Sequence, residues 1–312
     1  MNIVQTVFYG PSSAAEYAPF VHTEGQVVQK TLAQSVSCVG VGVHSGKPAS
    51  LTLIPAPVGT GYVFVRSDLN APQNIIPAKY DTVVDTMMCT KLANSYGVSV
   101  STVEHVLAAL AGANISNAII EINGPEVPIM DGSSSVFSQM IANAGIDIQG
   151  AKTPTIKILK SVKVTHGGAS AEFSPCDGRL VSMEFDGHGR LQNLMDETEY
   201  SFDLDTDDFA DLLSDARTFG FYEDAEKLWA AGLAQGASLE NTVVIQGDSI
   251  MNEEGLRSED EFVRHKILDA VGDLALAGVA IQGHFKGFNS GHALNNQLLR
   301  ALFSTPNAWC FV

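Results

Sequence analysis

Residues 260–274 read DEFVRHKILDAVGDL, and the interpretation of this stretch decides the fold. His265, Asp269 and Asp273 follow one another at intervals of four, flanked by the apolar Phe262, Leu268 and Val271. The spacing predicts a helix with one imidazole and two carboxylates along one face, beside an apolar stripe. Polar groups in such a place are costly to bury without partners, so they call for a purpose. A second segment repeats the pattern. When VEHVLAALAGA (103–113) is set above VRHKILDAVGD (263–273), His105 falls on His265 and Gly112 on Gly272, with Asp269 and Asp273 in place of Ala109 and Ala113. Such self-similarity implies duplication: two α+β domains whose equivalent helices each offer a histidine near a pseudo-twofold axis.

Outward from these helices the chain alternates in kind. Strand-like, β-branched runs broken by Gly and Pro occupy 30–46, 49–57 and 60–68. The first helix is expected over 101–113, with Ser101 as N-cap and Val103, Val106, Leu107 and Leu110 at helical spacing. A strand at 117–124 and a loop running into a helix over 128–146 follow, then a linker around 151–155. The second half repeats the plan, with strands at 155–165, 170–175, 179–186, 242–247 and 278–287. The segment 208–221 leads into 223–234, and helices are expected over the opening segment and 292–304. The expected organisation is an N-terminal extension at 1–28, a first α+β domain at 29–150 and a second at 151–312.

Composition narrows the function. The 312 residues are 45% hydrophobic and 17% charged, enough for a sizeable core. Thirty-five acidic residues against 18 basic ones give a net charge of −17, which argues against a nucleic-acid partner. A local basic pocket for an anionic small molecule remains compatible with that balance. Cys38, Cys89, Cys176 and Cys310 form no CxxC pair, so neither a disulfide framework nor a thiolate zinc site is expected. There is no run of 18 apolar residues and no secretion-type start, so we expect a cytoplasmic protein without stable membrane insertion, and a monomer.

His265 and Asp269, one helical turn apart, can reach one ion, and imidazole nitrogen with carboxylate oxygen suits zinc. A catalytic zinc needs a third protein ligand, for which His105 is the natural candidate, next to Glu104. Each piece also has a structural reading. Asp269 and Asp273 fit solvated helix acids, Glu104 fits a capping box with Ser101, and His44 fits a turn histidine. His292 falls at or just before a helix N-terminus, whose positive end lowers imidazole basicity, so a protonated His292 needs a carboxylate such as Asp273.

Several longer motifs occur together: GVGVHSGK (40–47), DTMMCT (85–90), STVEHVLAALAG (101–112), PEVPIMDGSSSVF (125–137), ARTFGF (216–221), the opening stretch, and SGHALNN (290–296). In their order, and over roughly residues 29–312, they resemble the zinc-dependent UDP-3-O-acyl-N-acetylglucosamine deacetylases of lipid A biosynthesis. The resemblance implies two similar domains, each a layer of helices on a sheet with a small insert, and an active site between them. It implies a substrate that is a UDP-linked acylated amino sugar, and Zn2+ bound by His105, His265 and Asp269. Glu104 would be the general base, His292 the general acid and Asp273 its partner, with Thr218 and Lys266 lining the reacting centre. Phe219, Leu239 and His44 would contact substrate, and the acyl chain would enter an apolar passage formed by the second insert, about 219–245. The segment MEFDGHGRL (183–191) departs from the Asn-His-Pro turn usual in the family, and Ala234, Ala237 and Leu239 stand where other residues are common.

Overall fold

In the first half, alternate residues of Pro48–Pro55 turn inward, Leu51 and Leu53 being fully buried, and five of the strands assemble into one sheet. The computed structural model describes residues 28–191, 193–195 and 197–312. The expected extension at 1–28 therefore lies outside the described residues, apart from Val28, which begins a strand. The helices are α1 (Glu104–Gly112), α2 (Ser135–Ala144), α3 (Phe209–Leu212), α4 (Ala225–Ala230), α5 (Glu261–Ala275) and α6 (His292–Ser304). Among the described residues, no helix is long and apolar enough to cross a membrane.

The two sheets share one topology. In the first, the strand order is Val36–Val41, Pro48–Pro55, Ala118–Ile122, Tyr62–Arg66, Ile75–Pro77. The central Ala118–Ile122 runs antiparallel to Pro48–Pro55 and parallel to Tyr62–Arg66. In the second, Ala280–Phe288 is central, antiparallel to Ala169–Ser174 and parallel to Arg179–Glu184, with Val162–His166 and Glu199–Asp203 outside them. Thr155–Ile158 and Trp309–Phe311 extend this second sheet. Each central strand is preceded by the helix carrying a histidine, α1 or α5, and followed by another helix, α2 or α6. The repeat seen over a dozen residues thus extends through a whole domain plan, in an α+β, two-domain arrangement. Each half also carries a small three-stranded sheet just before that helix: Val83–Asp85, Lys91–Ala93 and Ser99–Val100 in the first, Phe219–Phe221, Val243–Gln246 and Ser249–Ile250 in the second.

α1 and α5 pack face to face and join the halves. α1 is buried from Glu104 through Leu110, so a helix of short and aliphatic residues lies in the middle of the core. The repeated glycines show why the pattern needs them. A Cβ on Gly272 would lie 2.0 Å from the Glu104 carbonyl oxygen, and one on Gly112 would lie 2.2 Å from the Phe209 ring. Gly272→Ala must therefore push α1 off α5. The expected cost is roughly 1–3 kcal/mol, as for other overpacked cores, read as a lower denaturant midpoint. Gly150→Ala, whose Cβ would meet nothing within 4 Å, serves as the control.

Three local expectations are corrected. Ser101 is not an N-cap: α1 begins at Glu104, Val103 holds the cap position, and no side chain caps it. Ser101 instead pairs in extended form with the 125–127 segment, donating its N–H to Pro125 and accepting from Val127. Between the two, Thr102 takes φ +58°, a left-handed conformation unusual for a β-branched residue, and turns the chain into the helix. The linker expected at 151–155 is mostly strand, because Ile146–Lys152 pairs with Val28–Leu32 and Thr155 opens the next strand. Finally, the run 30–46 is two strands, broken after Leu32 where the Ala33 N–H turns to the Gly145 carbonyl.

Candidate active site

The crossing of α1 and α5 places side chains that are 160 positions apart in sequence beside one another. His105 and His265 are both 3% exposed, with ring centroids 5.1 Å apart and planes at 89°. Asp269 Oδ1 stands 3.4 Å from His265 Nε2 and 3.6 Å from His105 Nε2. These separations are too long for good hydrogen bonds. They match two donors each about 2.0–2.1 Å from a shared tetrahedral ion, which stand about 3.3–3.4 Å apart. All three ligand atoms lie within 4.8 Å of one another, so the group could hold a metal ion.

The surroundings support that use. His265 Nδ1 lies 3.0 Å from the Ala216 carbonyl; a carbonyl only accepts, so Nδ1 carries the hydrogen and Nε2 turns its lone pair to the centre. Burial lowers the His265 pKa to about 4, against the pull of Asp269, and so keeps the ring neutral and able to ligate. Burial would raise Asp269, but His265 and Lys266 hold its carboxyl well below the ordinary range. Lys266 Nζ donates to Asp269 Oδ2 at 2.6 Å. His105 Nδ1 is buried without a hydrogen-bond partner. The segment bearing Ala216 is itself fixed, because Arg217 donates through N and Nε to Glu261 Oε1, at 3.0 and 2.8 Å, in the first turn of α5.

Beside this group lies a second one made for moving protons. Glu104 Oε1 is 3.8 Å from His292 Nε2, too far for a direct hydrogen bond, yet near enough for both to reach one reacting group. His292 opens α6, and its Nδ1 donates to Asp273 Oδ2 at 2.9 Å. Burial alone would strip the imidazole of its proton; Asp273 and then Glu104 more than offset this, and the pKa is raised to about 9. Burial raises the Glu104 carboxyl, with His292 and His105 opposing. The capping-box reading of Glu104 fails, since its Oε2 accepts from the Thr90 N–H at 3.0 Å and not from Ser101. Asp269 and Asp273, 3% and 2% exposed, are not solvated helix acids.

A cavity of about 260 Å3 opens beside both groups, lined by Glu104, His105, Thr218 and Phe219 and by His44 and Leu239. Leu228, Trp229 and Val244 of the second insert add apolar wall to it. His44 is more than a turn histidine. Glu126, 3% exposed, accepts from the N–H of His44 at 2.7 Å and of Ser45 at 2.8 Å. The Gln235 and Gly236 N–H groups then donate to the carbonyls of His44 and Val43, so a loop of the first half is tied to the second insert. A larger cleft, about 630 Å3, lies toward the C-terminal ends of α1 and α5, but none of the groups above lines it. Its Arg179 is already held by Asp205 and Asn114.

All eleven expected site residues thus fall in or against one region. Thr90, Asn295 and Glu126 were not expected. Thr90 Oγ1 donates to Asp273 Oδ1 at 2.6 Å, and Asn295 Nδ2 donates to Asp273 Oδ2 at 2.9 Å. Asn295 carried a readable signal, being three residues after His292 on one helix face, whereas Thr90 was legible only as the last residue of the motif DTMMCT, with no spacing that tied it to a partner.

Comparison with known proteins points to one family. The family model for UDP-3-O-acyl N-acetylglycosamine deacetylase matches residues 29–304. The chain is 48% identical over 287 residues to the UDP-3-O-acyl-N-acetylglucosamine deacetylase of Pasteurella multocida (strain Pm70), covering 92% of this chain and 93% of that protein. It is 49% identical over 288 residues to the protein of the same name from Haemophilus influenzae (strain 86-028NP), with the same coverages. It is 47% identical over 284 residues to that of Shewanella sp. (strain ANA-3), covering 91% and 92%.

Proposed function

The chain belongs to the UDP-3-O-acyl N-acetylglycosamine deacetylase family, and from that premise we propose how its residues carry the reaction. It is a hydrolase that removes the acetyl group from a UDP-3-O-acyl-N-acetylglucosamine, releasing acetate and the free amine, in lipid A biosynthesis. The observation that carries the assignment of roles is the convergence of His105, His265 and Asp269 beside the Glu104–His292 pair.

The metal is zinc, held by His105, His265 and Asp269. Two imidazoles and one carboxylate are a catalytic zinc set with an open position, and the donor separations, the neutral His265 and its carbonyl-bound Nδ1 all fit it. When bound, the ion lowers the pKa of a coordinated water to about 7 and polarises an acyl oxygen.

The chain's own groups do the rest. Glu104, whose carboxyl burial raises and the neighbouring imidazoles oppose, takes a proton as the water oxygen bonds to the acetyl carbon. The carbonyl electron pair moves onto oxygen, and Thr218 on the cavity wall offers its hydroxyl to the developing charge. The C–N bond then breaks, and His292 gives its Nε2 proton to the departing nitrogen, which leaves poorly as an anion. Asp273 keeps that imidazole charged and turned. Lys266 neutralises the outer oxygen of Asp269 and brings positive charge to the site of an acidic protein. The apolar wall of the cavity, which includes Phe219, Leu239 and Val244, takes the acyl chain, and His44 meets the substrate where the first half docks on the insert. The reading places the enzyme in the cytoplasm, acting as a monomer, with domain bounds near 29–150 and 151–312.

Purified protein is expected to carry about one zinc per chain, the stoichiometry of a single catalytic site. A chelator should abolish acetate release from the acylated UDP-sugar, and added zinc should restore it. Plain N-acetylglucosamine should release none. Wild-type protein that binds zinc and the nucleotide sugar yet frees no acetate would sink the assignment. Substrates with acyl chains of graded length then measure how much of the passage is used, since each buried methylene contributes about 0.8 kcal/mol.

A further inference from the structure

Thr90 is 1% exposed and stands behind the two carboxylates that the mechanism uses. It belongs to the short connection between the strands Val83–Asp85 and Lys91–Ala93 of the first insert. One residue there makes two contacts of different kinds. Its backbone N–H donates to Glu104 Oε2 at 3.0 Å, and its hydroxyl donates to Asp273 Oδ1 at 2.6 Å. Glu104 belongs to α1 and Asp273 to α5, so Thr90 bridges the halves at the point where the proton leaves water and the point where it is handed on.

The geometry leaves each carboxylate with one free task. Glu104 Oε2 is taken by Thr90, which leaves Oε1 turned to His292. Asp273 Oδ1 is taken by Thr90, and Oδ2 receives both His292 Nδ1 and Asn295 Nδ2. Without the Thr90 hydroxyl, Asp273 could swing to share either oxygen, and His292 Nδ1 would lose its fixed acceptor. We propose that Thr90 is a positioning residue for both halves of the proton transfer, setting the Glu104 carboxylate through its N–H and the His292 imidazole through its hydroxyl and Asp273. The inference rests on the roles assigned above to Glu104 and His292, and it touches neither substrate nor metal.

Thr90→Val removes the hydroxyl and keeps the shape and the N–H. The expected result in the zinc-loaded enzyme is a fall in kcat of roughly 10- to 100-fold, the scale of one lost hydrogen bond to a charged group. KM should move by less than about threefold, because the lost contact acts on the chemical step and not on substrate binding. Thr90→Ser, which restores the hydroxyl, should recover most of the loss. In a double-mutant cycle, Thr90→Val added to Asp273→Asn should cost less than about twofold more, since both act through one imidazole. A merely structural Thr90 would instead multiply the two losses and would leave Thr90→Ser as impaired as Thr90→Val. Either of those results, or a Thr90→Val enzyme with wild-type kcat, overturns the proposal. Thr90→Ala, which removes the same hydroxyl without setting a methyl against Asp273, carries the test if Thr90→Val does not fold. Failure of the roles themselves is read separately, from Glu104→Gln.

Discussion

Glu104→Gln is expected to lower kcat for acetate release by roughly 10²- to 10⁴-fold, the range for removing a positioned general base. Glutamine keeps the side-chain length, and its carbonyl oxygen can still accept from the Thr90 N–H, so the fold around α1 should survive. What is lost is the capacity to bind a proton at Oε1, opposite His292. Zinc content should be unchanged, because His105, His265 and Asp269 are untouched, and KM should change little. A Glu104→Gln enzyme that turns over normally with zinc bound would move the base to another residue.

Asp273→Asn should show its largest effect in the pH profile. The wild-type enzyme needs Glu104 without its proton and His292 with one, so activity is bell-shaped. The acid limb marks Glu104, which burial raises above the ordinary carboxylate value. The alkaline limb marks His292, whose pKa is raised to about 9. Asp273 is the foremost group raising it, and asparagine keeps the shape while removing the charge. The alkaline limb should therefore move down by about 1–3 units, the usual effect of one opposite charge at contact. The acid limb should move down slightly as well, because Asp273 also raises Glu104. At pH 8 the variant should be roughly 2- to 100-fold slower than the wild type, according to how far the limb moves, with the deficit shrinking as pH falls. Rate measurements across the pH range check this, and an alkaline limb that stays in place would detach Asp273 from His292.

How much of this was legible follows from the range of the interactions. The i, i+4 spacing of His265, Asp269 and Asp273 and the run 292–304 report a local helical period, and both helices lie where the period placed them. The glycines of the repeat were legible as positions, yet the sequence showed no reason for them until Gly272 met the Glu104 carbonyl across the helix crossing. Local rules failed where a distant partner outbid a neighbour. Ser101 looks like an N-cap but pairs with 125–127, and Glu104 looks like the far end of a capping box but is held by Thr90. The first insert was expected only through the resemblance, and its strands went unread because they are two or three residues long, too short for a period to register.

Sequence alone determined the two-helix repeat, the identity of the chemical groups, and, through long motifs in order, the family resemblance. All of these depend on residue type and short spacing, which a chain carries before it folds. Only the tertiary structure decided that His105 and His265 meet, that Thr90 reaches Asp273 from 183 positions away, and that His292 lies between the carboxylates of Asp273 and Glu104. Those facts come from the packing of α1 on α5. Bringing remote segments together is settled by the whole core at once, and no local pattern encodes the final ångström.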